Sequence, residues 1–157
     1  MFETTLGDVR AFRTIIPIFI KPLVEDKTFT GYVVRSNVDL IKLRALPDDF
    51  KLLGSEVVNF VSEWRVFINR YAIVNAKNYA GDYRKIPEFD LVEYAISDYK
   101  EQKAAYSLDF GVTDKGETML IEINDAFGIA PYGLEPVAYI KLLSERWEEI
   151  ISKQLVR

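Results

Sequence analysis

Residues 108–125 read LDFGVTDKGETMLIEIND. Two runs of alternating character flank TDKG, a tetrapeptide with the turn residues of a β-hairpin. The segment therefore demands an antiparallel strand pair, and with it a sheet for that pair to join. Side chains alternate along a strand, so Ile121 and Ile123 share one face while Leu120, Glu122 and Asn124 share the other. Asp109 lies on the partner strand. A turn centred on Lys115-Gly116 sets Asp109 opposite Glu122, and a turn at Asp114-Lys115 leaves the two diagonal on one face. A three-residue loop spoils that parity unless a bulge restores it. Taken singly, each residue has an ordinary explanation: Asp109 caps a turn, Glu122 faces solvent, and Asn124-Asp125 end the strand. Together, two carboxylates and an amide oxygen on one patch repel unless a cation lies between them. Asp109, Glu122 and Asn124 are thus the candidate ligands of a hard cation, Mg²⁺ or Mn²⁺.

Composition narrows the chemistry. The 157 residues contain no histidine and no cysteine. Histidine bases, catalytic triads, thiolate nucleophiles, disulfides and His- or Cys-ligated metals are all excluded. What remains is carboxylate, lysine, arginine, tyrosine and hydroxyl chemistry. The net charge of −4 disfavours a general nucleic-acid or anionic-membrane surface. The apolar run TIIPIFIKPLV (14–24) is interrupted by Pro17, Lys21 and Pro22. It is too short to span a bilayer. No signal-peptide pattern precedes it, and the chain is read as cytoplasmic.

The elements expected along the chain make an α+β fold, mainly antiparallel sheet flanked by helices, in one domain over 1–157. Strands are expected at 15–21 and 30–36, and a short helix at 37–46 with Asn37 as N-cap. A further strand is expected at 55–61 and a hairpin over 63–79. A loop at 79–89 leads to a helix at 89–105, whose residues 92, 95, 96 and 99 share a face. A last helix begins at Pro136, with apolar residues at 140, 143, 147, 150 and 151.

A cation holding phosphates calls for basic groups and free backbone N–H nearby. FIKPLVEDKTFTGYVV (19–34) offers Lys21 at a strand end, Lys27 in the following loop, and Thr28, Thr30 and Gly31. Each lysine is individually also an ordinary solvated loop charge. Arg65, in EWRVFI, lies on the face of Glu63 and Phe67 in a half-buried strand, where arginine is uncommon without a partner. A structural Glu63–Arg65 pair and a functional arginine are the two readings.

In order, these segments resemble the nucleotide-binding part of ATP-grasp enzymes over residues 17–134. FIKP with the strand containing Gly31 resembles the lysine strand and phosphate-covering loop, and LDFGVTDKGETMLIEIN resembles the metal-binding hairpin. DKTFTG, EWRVFI and IEINDAFGIAPYGL resemble the clade named for two arginines and one lysine, with Lys21 standing where an arginine is often found. The resemblance implies that Asp109, Glu122 and Asn124 ligate Mg²⁺ and that Lys21 and Lys27 contact ATP phosphates. It implies that the segment from Glu56 to Val58 meets adenine, with Thr28, Gly31 and Glu63 as further nucleotide contacts. Arg65, with Lys27, would stabilise the transferring phosphoryl group. About 16 residues precede the lysine strand, so the N-terminal portion is expected to be reduced, absent or supplied by a partner chain or second copy.

The function implied is an ATP- and Mg²⁺-dependent carboxylate–amine ligase acting through an acyl phosphate. Arg84, Tyr79 and Tyr132 are placed by sequence to touch a substrate. The alternatives are a Mg-ATP-binding module that is non-catalytic or partner-dependent, and a plain interaction domain. Asp109→Asn and Glu122→Gln are both expected to weaken Mg-ATP binding while leaving the fold intact, or to stabilise it by relieving repulsion.

Overall fold

A computed structural model describes residues 1–13, 15–24 and 28–155. The chain divides into two compact units, Met1–Val58 and Asn59–Arg157.

The first unit is a four-stranded antiparallel sheet in the order β1-β4-β2-β3, built from β1 (Phe2–Thr5), β2 (Ile18–Pro22), β3 (Tyr32–Val34) and β4 (Lys51–Ser55). Alternation along β2 sends Ile18 and Ile20 into a core with Val34 and Leu52. Phe19 and Lys21 consequently lie on the opposite face. Helix α1 (Leu6–Arg10) adds Leu6 and Val9 to the same core. Its N-cap is Thr5, whose Oγ1 accepts from the Asp8 N–H at 3.2 Å and donates to the Asp8 carboxylate at 2.8 Å. That Thr-x-x-Asp pattern is a capping signal, and neither β1 nor α1 was among the expected elements. The helix expected at 37–46 is a 3₁₀ turn, Asp39–Leu43. Asp39, not Asn37, anchors it by accepting from the backbone N–H of Arg35 and Ser36.

The strand expected at 55–61 is replaced by two. β4 ends at Ser55, β5 (Phe60–Asn69) begins five residues later, and residues 56–59 pair with neither. Burial explains the shift, because Leu52 rather than any residue of 56–58 enters the core.

The second unit is a sheet in the order β6-β5-β7-β8, all antiparallel, comprising β5, β6 (Ala72–Gly81), β7 (Ala105–Thr113) and β8 (Thr118–Asp125). Helix α2 (Phe89–Asp98) covers one face, where Val92 and Ile96 meet Val66, Ile68, Leu108 and Phe110. It stops well short of 105. Tyr99 turns to extended backbone and packs at 5.2 Å on Tyr106. Helix α3 (Pro136–Leu155) lies over part of the other face, with Leu142, Ala138 and Tyr139 packed near Phe67, Ala105 and Ala126. Its expected apolar positions 140, 147 and 151 point away from the sheet and are exposed. The sheet side of α3 is instead bound by charge: Arg146 donates twice to Asp125 at 2.7 Å and once to Glu149. The architecture is α+β, mainly antiparallel. No helix among the described residues is long and apolar enough to cross a membrane.

Candidate functional site

The hairpin β7–β8 turns through a three-residue loop. The Thr113 N–H donates to the Glu117 carbonyl, and Asp114, Lys115 and Gly116 lie between them. Gly116 has φ +86°, a left-handed conformation that glycine adopts without a Cβ penalty. Such a loop leaves Asp109 out of parity with Glu122, and a bulge corrects this. Val112 pairs with Thr118 and Phe110 with Leu120, but Asp109 pairs with Glu122, leaving Ile121 as the extra residue.

Arg65 of β5 is the cross-strand partner of Asp109 on its other side, and Lys77 of β6 is the partner of Arg65. Partners in register point to the same face, so Lys77, Arg65, Asp109 and Glu122 form one charged rank across all four strands. Ser107 faces Asn124 one step along. The register between β5 and β7 thus sets the site.

The interactions within the rank are specific. Arg65 donates from Nε and Nη2 to the two oxygens of Asp109, at 2.8 and 2.7 Å. Both residues are buried, at 6% and 2% exposure. Arg65 Nη1 reaches the Ala130 carbonyl at 3.4 Å. Tyr132 lies 4.8 Å over the Arg65 guanidinium, and Tyr79 stacks on Tyr132 at 4.7 Å. Tyr79 donates to Glu63 at 2.8 Å. Glu63 therefore holds Tyr79, and the acidic partner of Arg65 is Asp109. Tyr132 adopts φ +43° to reach this position, a conformation unfavourable for an aromatic residue and maintained by its surroundings.

Burial lifts the Asp109 carboxyl above its ordinary value, against the opposing pull of Arg65. Burial works against the Arg65 charge as well, but the bonds to Asp109 outweigh it and hold the guanidinium above its already high value. A guanidinium keeps its proton at any physiological pH, and its two-point bond to Asp109 favours the ionised carboxylate against the cost of burial. Burial and the bond to Glu63 raise the Tyr79 phenol, which stays protonated.

The donor set suits a hard cation. Asn124 Nδ2 lies 2.9 Å from Glu122 Oε1 and 3.3 Å from Asp109 Oδ2. The amide nitrogen thus occupies the point on which both carboxylates converge, its hydrogens taking the place of positive charge. Rotation of the amide by half a turn presents its oxygen there instead. Glu122 is exposed, which leaves the point open to solvent. No group of three acidic side chains among the described residues could hold a metal alone. The oxygen atoms that converge there are those of Asp109 and Glu122, with the Asn124 side-chain amide beside them.

The remaining candidates divide by unit. Lys21 is half-buried at the end of β2. Gly31 packs against the same strand; a Cβ there would meet Phe19 Cζ at 2.6 Å and Lys21 Cβ at 3.1 Å. Thr28 and Gly31 also line a cleft of about 540 Å3 with Phe29, Tyr32, Lys42 and Leu46. Lys27 lies outside the described residues. Glu56 is exposed and Val58 half-buried in the unpaired segment that joins the units. In the second unit, Arg84 is exposed and bound to Asp82, whose carboxyl that bond holds down at about 2. Lys77 was missed from the sequence, because nothing local distinguishes it from a solvated strand lysine.

Several solved structures share this fold. D-alanine–D-alanine ligase from Bacillus anthracis complexed with ATP has a TM-score of 0.60 and 15% identity, over 99% of this chain and 60% of that one. N5-carboxyaminoimidazole synthetase from Staphylococcus aureus complexed with ADP has 0.61 and 11%, over 92% and 46%. N5-carboxyaminoimidazole synthase from Aspergillus clavatus, with ADP and 5-aminoimidazole ribonucleotide, has 0.60 and 14%, over 94% and 46%. The chain thus spans about half the length of these proteins. No protein with a curated description matches it in sequence. Residues 1–142 match the ATP-grasp domain of family 2 in the clade named for two arginines and one lysine, and the chain belongs to that family.

Proposed function

We propose that the protein binds Mg-ATP and acts as a carboxylate–amine, or related, ligase. The observation that carries this reading is the convergence of Asp109, Glu122 and Asn124 on one solvent-accessible point, beside a buried arginine and in the ATP-grasp hairpin. Asp109, Glu122 and Asn124 would hold Mg²⁺, which when bound neutralises phosphate charge and orients the transferring phosphoryl group.

The chain's own residues bind and position. Lys21 and Lys27 contact ATP phosphates, Thr28 and Gly31 border them, and Glu56, Val58 and Glu63 contact the nucleoside. Arg65 fixes Asp109 through its Nε–Nη2 edge. Its Nη1 edge, which makes a long bond to the Ala130 carbonyl, is the edge that turns to the phosphoryl oxygens. In the reaction, a substrate carboxylate oxygen attacks the γ-phosphorus and ADP leaves. An amine then attacks the acyl carbon, its proton is lost to solvent, and inorganic phosphate departs. Neither step needs a side-chain nucleophile, in keeping with the lack of His and Cys. Tyr79 and Tyr132, stacked over Arg65, border the substrate.

The test is ADP release from Mg-ATP in the presence of paired carboxylic acids and amines. Acid-dependent ADP release that Glu122→Gln abolishes supports ligation. Absence of nucleotide binding at millimolar Mg-ATP contradicts it.

A further inference from the structure

Helix α3 carries a second apolar stripe, independent of the nucleotide chemistry. Val137, Ile140, Trp147 and Ile151 are 71, 61, 47 and 51% exposed. They recur with Ser144 at spacings of three, four, three and four residues, the a/d pattern of a helix that packs against another helix. The sheet-facing side of α3 is already filled by Leu142, Tyr139 and Arg146, so this stripe does not face the sheet. Trp147 is held in place: its Nε1–H donates to the Phe127 carbonyl at 3.1 Å, and its ring packs edge-on against Phe127 at 6.2 Å. A rigid, half-exposed indole is the usual anchor of an interface.

We infer that this face is a homodimer interface in which α3 of two copies packs antiparallel about a twofold axis. The sequence is self-complementary in that arrangement and in that direction. In an antiparallel pair each a position layers with a d position of the other copy. Centring the helices between Ser144 and Trp147 layers Ser144 with the partner's Trp147, a small residue receiving the largest one. The same register layers Ile140 with the partner's Ile151, and the twofold repeats both contacts. Lys141 and Glu148 occupy the exposed e positions flanking this seam. In an antiparallel pair e positions face each other, so Lys141 of one copy meets Glu148 of the other at both ends. Parallel packing would instead set e positions against g positions, here Pro136 and Leu143, and leave both charges without a partner across the seam. A helix of 20 residues is about 30 Å long. Packed along its length it covers roughly 600 Å2 per copy, or ~1,200 Å2 in all, the lower limit for a specific dimer. Area alone does not set affinity, but an interface at this lower limit belongs among the weak, transient assemblies.

The test is sedimentation velocity on the intact chain, from about 1 μM to about 500 μM, a range that brackets such affinities. The wild type should pass from monomer to dimer. Lys141→Glu and Glu148→Lys each place like charges at both ends of the crossing, so each variant alone should remain monomeric. Mixed in equal amounts they should form a heterodimer, because every pair is again opposite in sign. Ile151→Glu should remain monomeric alone and in either mixture. These positions are exposed, so circular dichroism should be unchanged in every variant. A wild type that stays monomeric throughout overturns the inference, as does a dimer that survives Lys141→Glu. Failure of the two charge variants to associate when mixed overturns the antiparallel register.

Discussion

Asp109 and Glu122 are cross-strand partners with opposite circumstances. Asp109 is buried and bound at two points by Arg65, whereas Glu122 is exposed and bound to Asn124. Replacing Asp109 by asparagine strands a buried guanidinium, a change that costs roughly 3–5 kcal/mol. Urea unfolding of Asp109→Asn should show that loss, with an unchanged m-value. The expectation that relief of repulsion leaves this variant intact or stabilised does not survive the geometry, because attraction to Arg65 dominates. Glu122→Gln removes an exposed charge, and should shift stability by no more than about 0.5 kcal/mol. The pair of variants separates the metal role from the structural one. Glu122→Gln should abolish Mg²⁺-dependent nucleotide binding at near-native stability. Tyr132→Ala should leave Asp109 in place but loosen Arg65.

Among elements, the hairpin β7–β8 and helix α3 show what the sequence could and could not disclose. The alternation in LDF and LIEIN fixes the strands, and the spacing of Asp109, Glu122 and Asn124 leaves a few possible registers. The bulge at Ile121 selects one of them, and nothing in the local sequence marks Ile121 as the extra residue. Gly116→Ala should cost about 1 kcal/mol, because the turn requires a left-handed residue. The bond between Arg65 and Asp109, 44 residues apart, depends on the β5–β7 register, which no local pattern specifies. The same limit applies to α3. Periodicity reveals an apolar stripe but not which side the sheet occupies, and here the sheet side is anchored by Arg146, Asp125 and Glu149. Asp125 is partly desolvated, but Arg146 and Lys103 hold its carboxyl below the usual 3.8. Its folded value is depressed, so its contribution is fully present above 3.8 and is lost as pH falls through the lower folded value. Arg146→Ala should destabilise the protein by roughly 2–4 kcal/mol at neutral pH. It should also flatten stability against pH below about 4, as measured by chemical unfolding at successive pH values.

For the whole molecule, the order of motifs is as informative as any one of them. Lysine strand, joining segment, arginine strand and acidic hairpin occur in the ATP-grasp order, and the fold agrees. A nucleotide that binds only the native chain stabilises it by linkage, about 2.7 kcal/mol at a hundredfold excess over its dissociation constant. For a chain of this size that corresponds to roughly 5–10 °C in Tm. The most direct test is therefore thermal unfolding with ATP alone, with Mg-ATP and with magnesium alone, on wild type and Glu122→Gln. The account predicts a rise of that size in wild type that requires both magnesium and ATP. It predicts a native Tm for Glu122→Gln without ligand and no rise with it. Equal rises in wild type and Glu122→Gln would contradict the assignment of Asp109, Glu122 and Asn124 as the metal site.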